Sequence, residues 1–174
     1  MSDNNGIERH KISVLVDNEP GVLARVIGLF SGRGYNIESL TVAEVEGKLS
    51  LSRISIVTSG TPMVIEQIKS QLARLVPIHS VRDLTEMGAA IERELALVKI
   101  INEGKNRIEA LRIADTFRAR TLDSTLDSFV FEVTGNSSKV AAFIDLMQSL
   151  GDVEIARTGV SAISRGNRID LTAK

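Results

Sequence analysis

Apolar and polar residues alternate near the start of the chain and then change to a helical period. In Lys11–Val16 every second residue is apolar, which is typical of a half-buried strand. The next apolar residues are spaced at i, i+4, i+7 and i+8, and they are Val22, Val26, Leu29 and Phe30. Leu23 and Ile27 widen this apolar stripe. This spacing predicts an amphipathic helix, which Gly32 or Gly34 can end in a left-handed conformation.

The first half continues with three predicted strands and a second helix. Ile37–Val45 and Leu51–Ser59 flank a Glu46-Gly47-Lys48 turn and predict a β-hairpin. Thr61-Pro62 places a capping oxygen before a proline at the first helical position. The apolar stripe of this helix consists of Ile65, Ile68, Leu72 and Leu75. Ile78–Leu84 then closes the unit as a strand, so the predicted order is βαββαβ.

The same order is predicted again in the second half. Glu94–Ile101 is a predicted strand, Arg107–Arg118 a helix and Arg120–Thr125 a weak strand. Sharp alternation marks the next strand at Phe129, Phe131 and Val133. Ser137-Ser138 can cap a second helix, whose stripe is Val140, Phe143, Ile144, Met147 and Leu150. Val153–Ile163 is predicted as one closing strand.

Two βαββαβ units in tandem, an α+β fold, explain this repetition most simply, with domains at residues 10–86 and 92–167. The stretch Thr85–Ile91 has no strong apolar period and forms the predicted boundary. One continuous α/β sheet of eight strands is the alternative. A unit of about 75 residues with both helices on one face leaves a sheet face and its edges uncovered, so we expect the chain to oligomerise.

Composition narrows the classes of partner. The chain has 174 residues, with 21 Lys and Arg against 22 Asp and Glu, and a net charge of -1. Charge this balanced argues against binding nucleic acid or an anionic membrane. Cysteine is absent, and two separate histidines, His10 and His79, cannot supply an ordinary zinc triad. No signal peptide or stretch of about 20 apolar residues is present, so we expect a cytoplasmic protein.

Motifs for catalysis are not found in the sequence. Gly28–Gly34 lacks the Lys-Ser/Thr that ends a phosphate loop, and its glycines fall at the end of a helix. His79 lies in a predicted strand beside Ser80, where a structural role is the more common one. Acidic residues lie on polar faces or at the ends of elements and form no evident acid-base pair. The sequence therefore predicts no catalytic residue and no resident metal.

The turn Asp17–Leu23 is the best candidate for a binding site. Its Pro20-Gly21 step joins a strand to a helix, so the N–H groups of Gly21, Val22 and Leu23 can hold a carboxylate. Amides that can bind the rest of an amino acid, and apolar side chains that can line a pocket, come from Asn18, Asn36, Val22, Leu23 and Ile37. Asn18 and Asn36 can equally serve only to shape a turn and begin a strand. The second unit has no predicted equivalent, because Asn102-Glu103-Gly104-Lys105 lacks Pro-Gly and its helix is predicted to start near Arg107.

Several segments are similar, almost position for position, to the small regulatory subunit of acetolactate synthase, a family with ACT domains. The similarity extends over roughly residues 11 to 166. Its matching segments are Ser13–Leu23, Arg25–Val42, Leu51–Arg53, Glu92–Lys99, Phe117-Arg118, Glu154–Val160 and Ser164–Gly166. ACT domains in general share only the strand, the turn and the helix, so the longer string identifies this family in particular.

The resemblance implies two tandem ferredoxin-like units, the first an ACT domain. It further implies a non-catalytic subunit that activates the large catalytic subunit and confers feedback inhibition by valine or another branched-chain amino acid. Thiamine diphosphate, magnesium and FAD then belong to the large subunit, and this chain has no cofactor of its own. Valine is expected between two ACT domains of a homodimer, at Asn18, Gly21, Val22, Leu23, Asn36 and Ile37. A free-standing tandem ACT sensor that regulates another enzyme or a transcription factor is the alternative.

Overall fold

A computed structural model of the chain describes residues 6–45, 50–88, 90–167 and 169, so the predicted Glu46-Gly47-Lys48 turn lies outside the described residues. The elements are β1 (Glu8–Asp17), α1 (Val22–Arg33), β2 (Ser39–Val45), β3 (Leu51–Gly60), α2 (Pro62–Leu72), β4 (Ile78–Asp83), β5 (Ala90–Ile101), α3 (Lys105–Thr116), β6 (Arg120–Ser124), β7 (Ser128–Gly135), α4 (Ser137–Gln148), β8 (Asp152–Arg157) and β9 (Ser161–Ser164).

Four strands of the first half form an antiparallel sheet in the order β2-β3-β1-β4. Both α1 and α2 pack on one face of this sheet, as the two apolar stripes predict. The core between them consists of Ile12, Val14, Val16, Val22, Val26, Phe30, Ile54, Ile56, Ile65, Ile68 and Leu72. Gly34 ends α1 with a φ of 69°, which confirms the predicted left-handed stop. Thr61 caps α2 by accepting the N–H of Val64 at 3.4 Å.

The second half repeats this topology in the order β6-β7-β5-β8. Its helices α3 and α4 pack against the inward residues of β5 and β7. Phe131 and Phe143 meet edge to face in this core, with ring centroids 6.2 Å apart. Other members of the core are Ala96, Val98, Ile100, Ala110, Ile113, Ala114, Phe129, Val133, Val140, Ile144 and Met147. Tandem βαββαβ units are confirmed, and the alternative of one eight-stranded sheet is wrong because the strands form two separate sheets.

Contacts divide the described residues into two compact units. Unit 1 contains those up to Ile91 and those from Val160 on, and unit 2 contains Glu92–Gly159. The two domains predicted at residues 10–86 and 92–167 stay a prediction. Among the described residues, no helix has the length and apolarity needed to cross a membrane.

The predicted closing strand Val153–Ile163 is wrong as one element, because the structure divides it into β8 and β9. Between them the N–H of Thr158 donates to the Leu95 carbonyl at 3.0 Å, and Gly159 takes a φ of 88°. A left-handed residue cannot continue an extended strand, so the chain turns there. Beyond this turn, residues from Val160 on belong to unit 1.

The segment after Gly159 packs on the sheet of unit 1. Val160 and Ala162 form a small buried cluster with Val57, Leu84 and Ala90. Because Ile56 faces the helices and side chains alternate along a strand, Val57 lies on the opposite face of the sheet. Part of the face that the sequence left uncovered is therefore covered by the chain's own C-terminal segment.

Two helix starts also differ from their predictions. Helix α3 begins at Lys105, directly after Gly104, and not near Arg107. Helix α4 is capped by Asn136 instead of Ser137 or Ser138, because the Asn136 Oδ1 accepts the N–H of Lys139 at 2.9 Å. Asparagine and serine are about equally good caps, so composition alone could not choose between them.

Candidate functional site

The turn between β1 and α1 begins the helix at a left-handed glycine. Gly21 is the N-cap of α1, with φ 87° and ψ -10°, and an added Cβ there would meet no atom within 4 Å. In this described stretch no side chain caps α1, and no acidic residue occupies its first turn. Within the described first turn, no acidic side chain therefore neutralises the positive end of the helix dipole.

Hydrogen bonds within the turn show which N–H groups are engaged. Val22 donates to the Glu19 carbonyl over a long 3.4 Å, and the first helical bond runs from Arg25 to the Gly21 carbonyl at 3.1 Å. Leu23 precedes that bond, so its N–H has no acceptor one turn back in the helix. Of the N–H groups predicted to hold a carboxylate, that of Val22 is therefore engaged with Glu19, whereas that of Leu23 has no acceptor within the helix.

Side chains predicted at the site take different positions. Asn18 is exposed, and its N–H donates to the Ser50 carbonyl at 2.8 Å. Leu23 is 37% exposed, whereas Val22 is 3% exposed and belongs to the core, so only the backbone of Val22 can contact a ligand. Ile37 also packs against that core from a half-buried position.

Asn36 and Ile37 lie at the other end of the sheet from the turn. The Asn36 carbonyl accepts the Thr58 hydroxyl at 2.6 Å, whereas Asn18 bonds to Ser50. These two anchors, Ser50 and Thr58, are eight positions apart in sequence, a span of about 26 Å in an extended strand. Within one chain the structure therefore does not bring the predicted site residues together.

Both histidines of the described chain pair with carboxylates. His79 Nε2 lies 2.6 Å from the Asp17 Oδ1, at the end of β1 next to the turn. His10 is buried, and its Nδ1 lies 2.6 Å from the Asp83 Oδ2. The nearby Glu86 carboxylate accepts the Lys69 ammonium at 2.6 Å.

These contacts bear on the possibility of a metal centre. His10, Asp83 and Glu86 place one ligand atom each within 4.8 Å of one another, a group that sequence spacing did not indicate. Asp83 also accepts the N–H of Thr85 at 2.9 Å. Asp83 is already paired with His10 and Thr85, and Glu86 is already paired with the Lys69 ammonium. The three residues therefore link β1 to the turn after β4.

Two family models match the chain. "AHAS small subunit-like ACT domain" matches residues 12–80, and "Small subunit of acetolactate synthase" matches residues 93–166. A protein of Archaeoglobus fulgidus named "Probable acetolactate synthase small subunit" is 49% identical over 160 residues, which are 92% of this chain and 99% of that protein. The chain belongs to the acetolactate synthase small-subunit family.

Other relatives agree with this membership. The small subunit of acetolactate synthase isozyme 3 of Escherichia coli is 46% identical over 162 residues, covering 92% of this chain and 98% of its own. The crystal structure of the acetolactate synthase small subunit from Thermotoga maritima matches with a TM-score of 0.83 at 38% identity, covering 92% of this chain and 99% of that one. The ACT fold of the first unit is thereby confirmed.

Proposed function

We propose that this chain is the non-catalytic regulatory subunit of acetolactate synthase. It binds the large catalytic subunit, raises its activity and makes it sensitive to inhibition by valine. Family membership supports the choice of partner. The observation that carries the sensing role is the open start of α1, where Gly21 and the N–H of Leu23 face no acidic side chain within the described first turn. Valine places its carboxylate there.

A homodimer completes the proposed valine site. The turn lies at the Ser50 end of β3, and Asn36 lies at the Thr58 end. One chain therefore supplies the turn at one end of the sheet and Asn36 at the other, and neither end holds a complete site. A two-fold axis that pairs β2 with its copy in antiparallel fashion reverses the second chain. Asn36 and Ile37 of the partner then approach the turn of the first chain.

The edge strands of the two sheets favour unit 1 for this pairing. Strand β2 keeps an unbroken register with β3 over seven residues, and Val42 on it is 43% exposed. Strand β6, its counterpart in unit 2, has five residues and a register shift between Thr121 and Asp123. Short and irregular edges resist pairing, whereas long regular ones permit it. The dimer therefore forms through β2 of the ACT unit.

The rest of the proposal concerns the division of roles. The domain at residues 10–86 senses the amino acid and carries much of the contact with the large subunit, and the domain at 92–167 tunes the response. Thiamine diphosphate, magnesium and FAD reside in the large subunit, and the complex works in the cytoplasm.

Calorimetry with valine tests the site at Gly21. Gly21→Asp sets a carboxylate where the ligand's carboxylate must lie and lowers valine affinity at least 100-fold. Gly21→Asn is the matched control, because asparagine has the same shape, carries no charge and tolerates a left-handed φ. We expect it to retain more affinity than the aspartate variant, with unchanged circular dichroism for both. Equal affinity in wild type and Gly21→Asp would contradict the site.

Asn36 tests whether the site crosses the dimer. Asn36→Ala removes a bond worth about 0.5–1.5 kcal/mol, so valine inhibition of acetolactate formation weakens while activation remains. A mixed dimer of Gly21→Asp and Asn36→Ala chains contains one intact site, so it binds valine with wild-type affinity at about half of the wild-type stoichiometry. The Gly21→Asp parent dimer has no such site, and the Asn36→Ala parent dimer binds valine more weakly at both of its sites. Mixed dimers that bind no better than their parents rule out a shared site.

Co-purification with the large subunit tests the partner. The tagged chain should retain the thiamine-diphosphate enzyme and raise its rate of acetolactate formation. A chain that binds valine but neither retains nor activates that enzyme is a free-standing amino-acid sensor, and the proposed partnership is then wrong.

A further inference from the structure

The turn between β5 and α3 in unit 2 occupies the same place as the candidate turn in unit 1. The N–H of Asn102 donates to the Asp127 carbonyl at 3.1 Å, just as that of Asn18 donates to Ser50. Each acceptor directly precedes the strand that pairs beside the turn, β7 in one unit and β3 in the other. Asn102 therefore corresponds to Asn18. The helix after it starts at Lys105, earlier than the predicted start near Arg107, while the Pro-Gly step of unit 1 is missing, as the sequence shows.

Helix α3, like α1, begins after a glycine N-cap with a positive φ. Gly104 has a φ of 59° and a ψ of -129°, whereas Gly21 has a ψ of -10°, so the two turns share the glycine but not its full backbone conformation. An added Cβ at Gly104 would meet no atom within 4 Å, so the space above the turn is open. Among these described residues, α3 has no side-chain cap and no acidic residue in its first turn. Its twelve residues are long enough to give a helix dipole with a positive end at Lys105.

No donor among the described residues reaches the buried amide oxygen of Asn102. Its side chain is directed at the first turn of α3, because its Nδ2 donates to the Asn106 carbonyl at 3.1 Å. The residue is 5% exposed, and among the described residues its Oδ1 has no hydrogen-bond partner. Buried carbonyl oxygens are almost always paired, so this atom calls for a donor that the protein does not supply.

Arg107, in the same first turn, carries a buried donor for which the described part of the chain provides no acceptor. Its guanidinium lies 3.9 Å from the centre of the Phe129 ring, and its Nη2 donates to the Thr125 carbonyl. Its Nη1 is buried and, within the described chain, makes no hydrogen bond. A guanidinium carries a positive charge, so an anion is the strongest hydrogen-bond partner for this Nη1.

We propose that the β5–α3 turn is a second binding site for a small α-amino acid. The ligand enters over Gly104, its carboxylate accepts from Arg107 Nη1 and the first N–H groups of α3, and its ammonium donates to the Asn102 Oδ1. The inference rests on the proposed function, since both turns take the same class of ligand. Each chain then holds two effector sites, one in each βαββαβ unit.

Calorimetry on the full chain with L-valine counts the sites. Wild type should bind two valines per chain, and Gly21→Asp should bind one. In that background Arg107→Gln lowers the affinity of the remaining site at least ten-fold. Arg112→Gln is the matched control, because Arg112 lies on the same helix and its exposed side chain forms an ion pair with Glu109. It should leave the affinity unchanged.

Two fragments of valine test the assigned chemistry in the Gly21→Asp background. Isobutylamine lacks the carboxylate and isovalerate lacks the ammonium, so each should bind at least ten-fold more weakly than valine. Equal binding of isovalerate and valine would remove Asn102 from the site and overturn the assignment.

The outcomes separate this inference from the proposed function. One valine per chain that disappears in Gly21→Asp overturns the second site and leaves the first intact. Binding that survives Gly21→Asp undiminished but disappears in Arg107→Gln overturns the first site and leaves the second. No valine binding to the wild type overturns both.

Discussion

Glu38 shows how a single residue connects three strands beside the candidate site. Its carboxylate accepts the Arg9 Nε at 2.8 Å and the Ser59 hydroxyl, so the segment leading into β2 is bound to β1 and β3. Burial acts to raise the pKa of Glu38, but the hydrogen bonds from Ser59 and Arg9 and the charge of Arg9 outweigh it. The pKa of Glu38 therefore lies below its ordinary value.

This direction predicts how stability depends on pH. A carboxyl whose pKa is lower in the folded state stabilises the fold above its unfolded pKa of about 4.3, and this contribution is lost as pH falls through the lowered value. Because the pair is partly exposed, Glu38→Gln should lower the free energy of unfolding near neutral pH by less than about 1 kcal/mol. The difference should vanish near pH 3 in urea denaturation. Glu44→Gln, on exposed β2, is the control, and a Glu38→Gln effect that persists in acid contradicts the account.

Two glycines in different surroundings should respond to alanine with opposite signs. Gly28 is exposed inside α1, where an added Cβ meets nothing, so Gly28→Ala should raise the free energy of unfolding by about 0.5–1 kcal/mol. At Gly151 the added Cβ collides with the Ile101 carbonyl oxygen. Gly151→Ala should therefore cost about 1–3 kcal/mol. Denaturation of both variants measures the difference, and a Gly151→Ala variant as stable as the wild type would show that the close approach at Gly151 does not exist.

At the scale of an element, the start of α4 distinguishes a capping residue from its neighbour. The Asn136 side chain accepts the N–H of Lys139, whereas the Ser137 hydroxyl is buried and has no partner among the described residues. Asn136→Ala should lower the free energy of unfolding by about 1 kcal/mol. Ser137→Ala should be neutral or stabilising, because it removes an unpaired buried group. A larger loss in Ser137→Ala than in Asn136→Ala would assign the cap to the serine.

At the scale of the whole molecule, the chain returns to unit 1 after completing unit 2. The N–H of Val160 donates to the Ser39 hydroxyl oxygen at 2.7 Å, and the Thr41 hydroxyl donates to the Val160 carbonyl at 3.1 Å. Strand β2, proposed as the dimer edge, is thus hydrogen-bonded to Val160, which lies about 120 positions later in the sequence. A fragment that ends at Ile91 loses these bonds together with the cover over Val57.

A pair of adjacent substitutions tests this cover in the full-length chain. Ala162 is 4% exposed within the cluster, whereas Ser161 beside it is exposed. Ala162→Asp buries a carboxylate among apolar groups and should cost about 2–4 kcal/mol, and Ser161→Asp should cost almost nothing. Denaturant unfolding followed by circular dichroism compares them. Equal stability of the two variants would mean that the segment does not pack on the sheet.

Local patterns in the sequence determined most of the elements. Period-2 alternation in Lys11–Val16 and the stripe Val22–Phe30 follow from the pleat and from the helical turn, which neighbouring residues set by themselves. Pro62 and Gly34 act in the same local way, through a fixed φ and a permitted left-handed φ. The βαββαβ repeat and the open start of α1 were therefore predictable from sequence alone.

Only the tertiary structure decided which distant residues meet. Strand pairing places Asn18 and Asn36 at opposite ends of β3, although both belong to one predicted site, and it returns Val160 to Ser39. Register and cover depend on contacts between residues far apart in sequence, and no local pattern encodes those contacts. The unpaired atoms of Asn102 and Arg107 likewise became visible only after every possible partner had a position, because a hydrogen bond is a property of two groups in space.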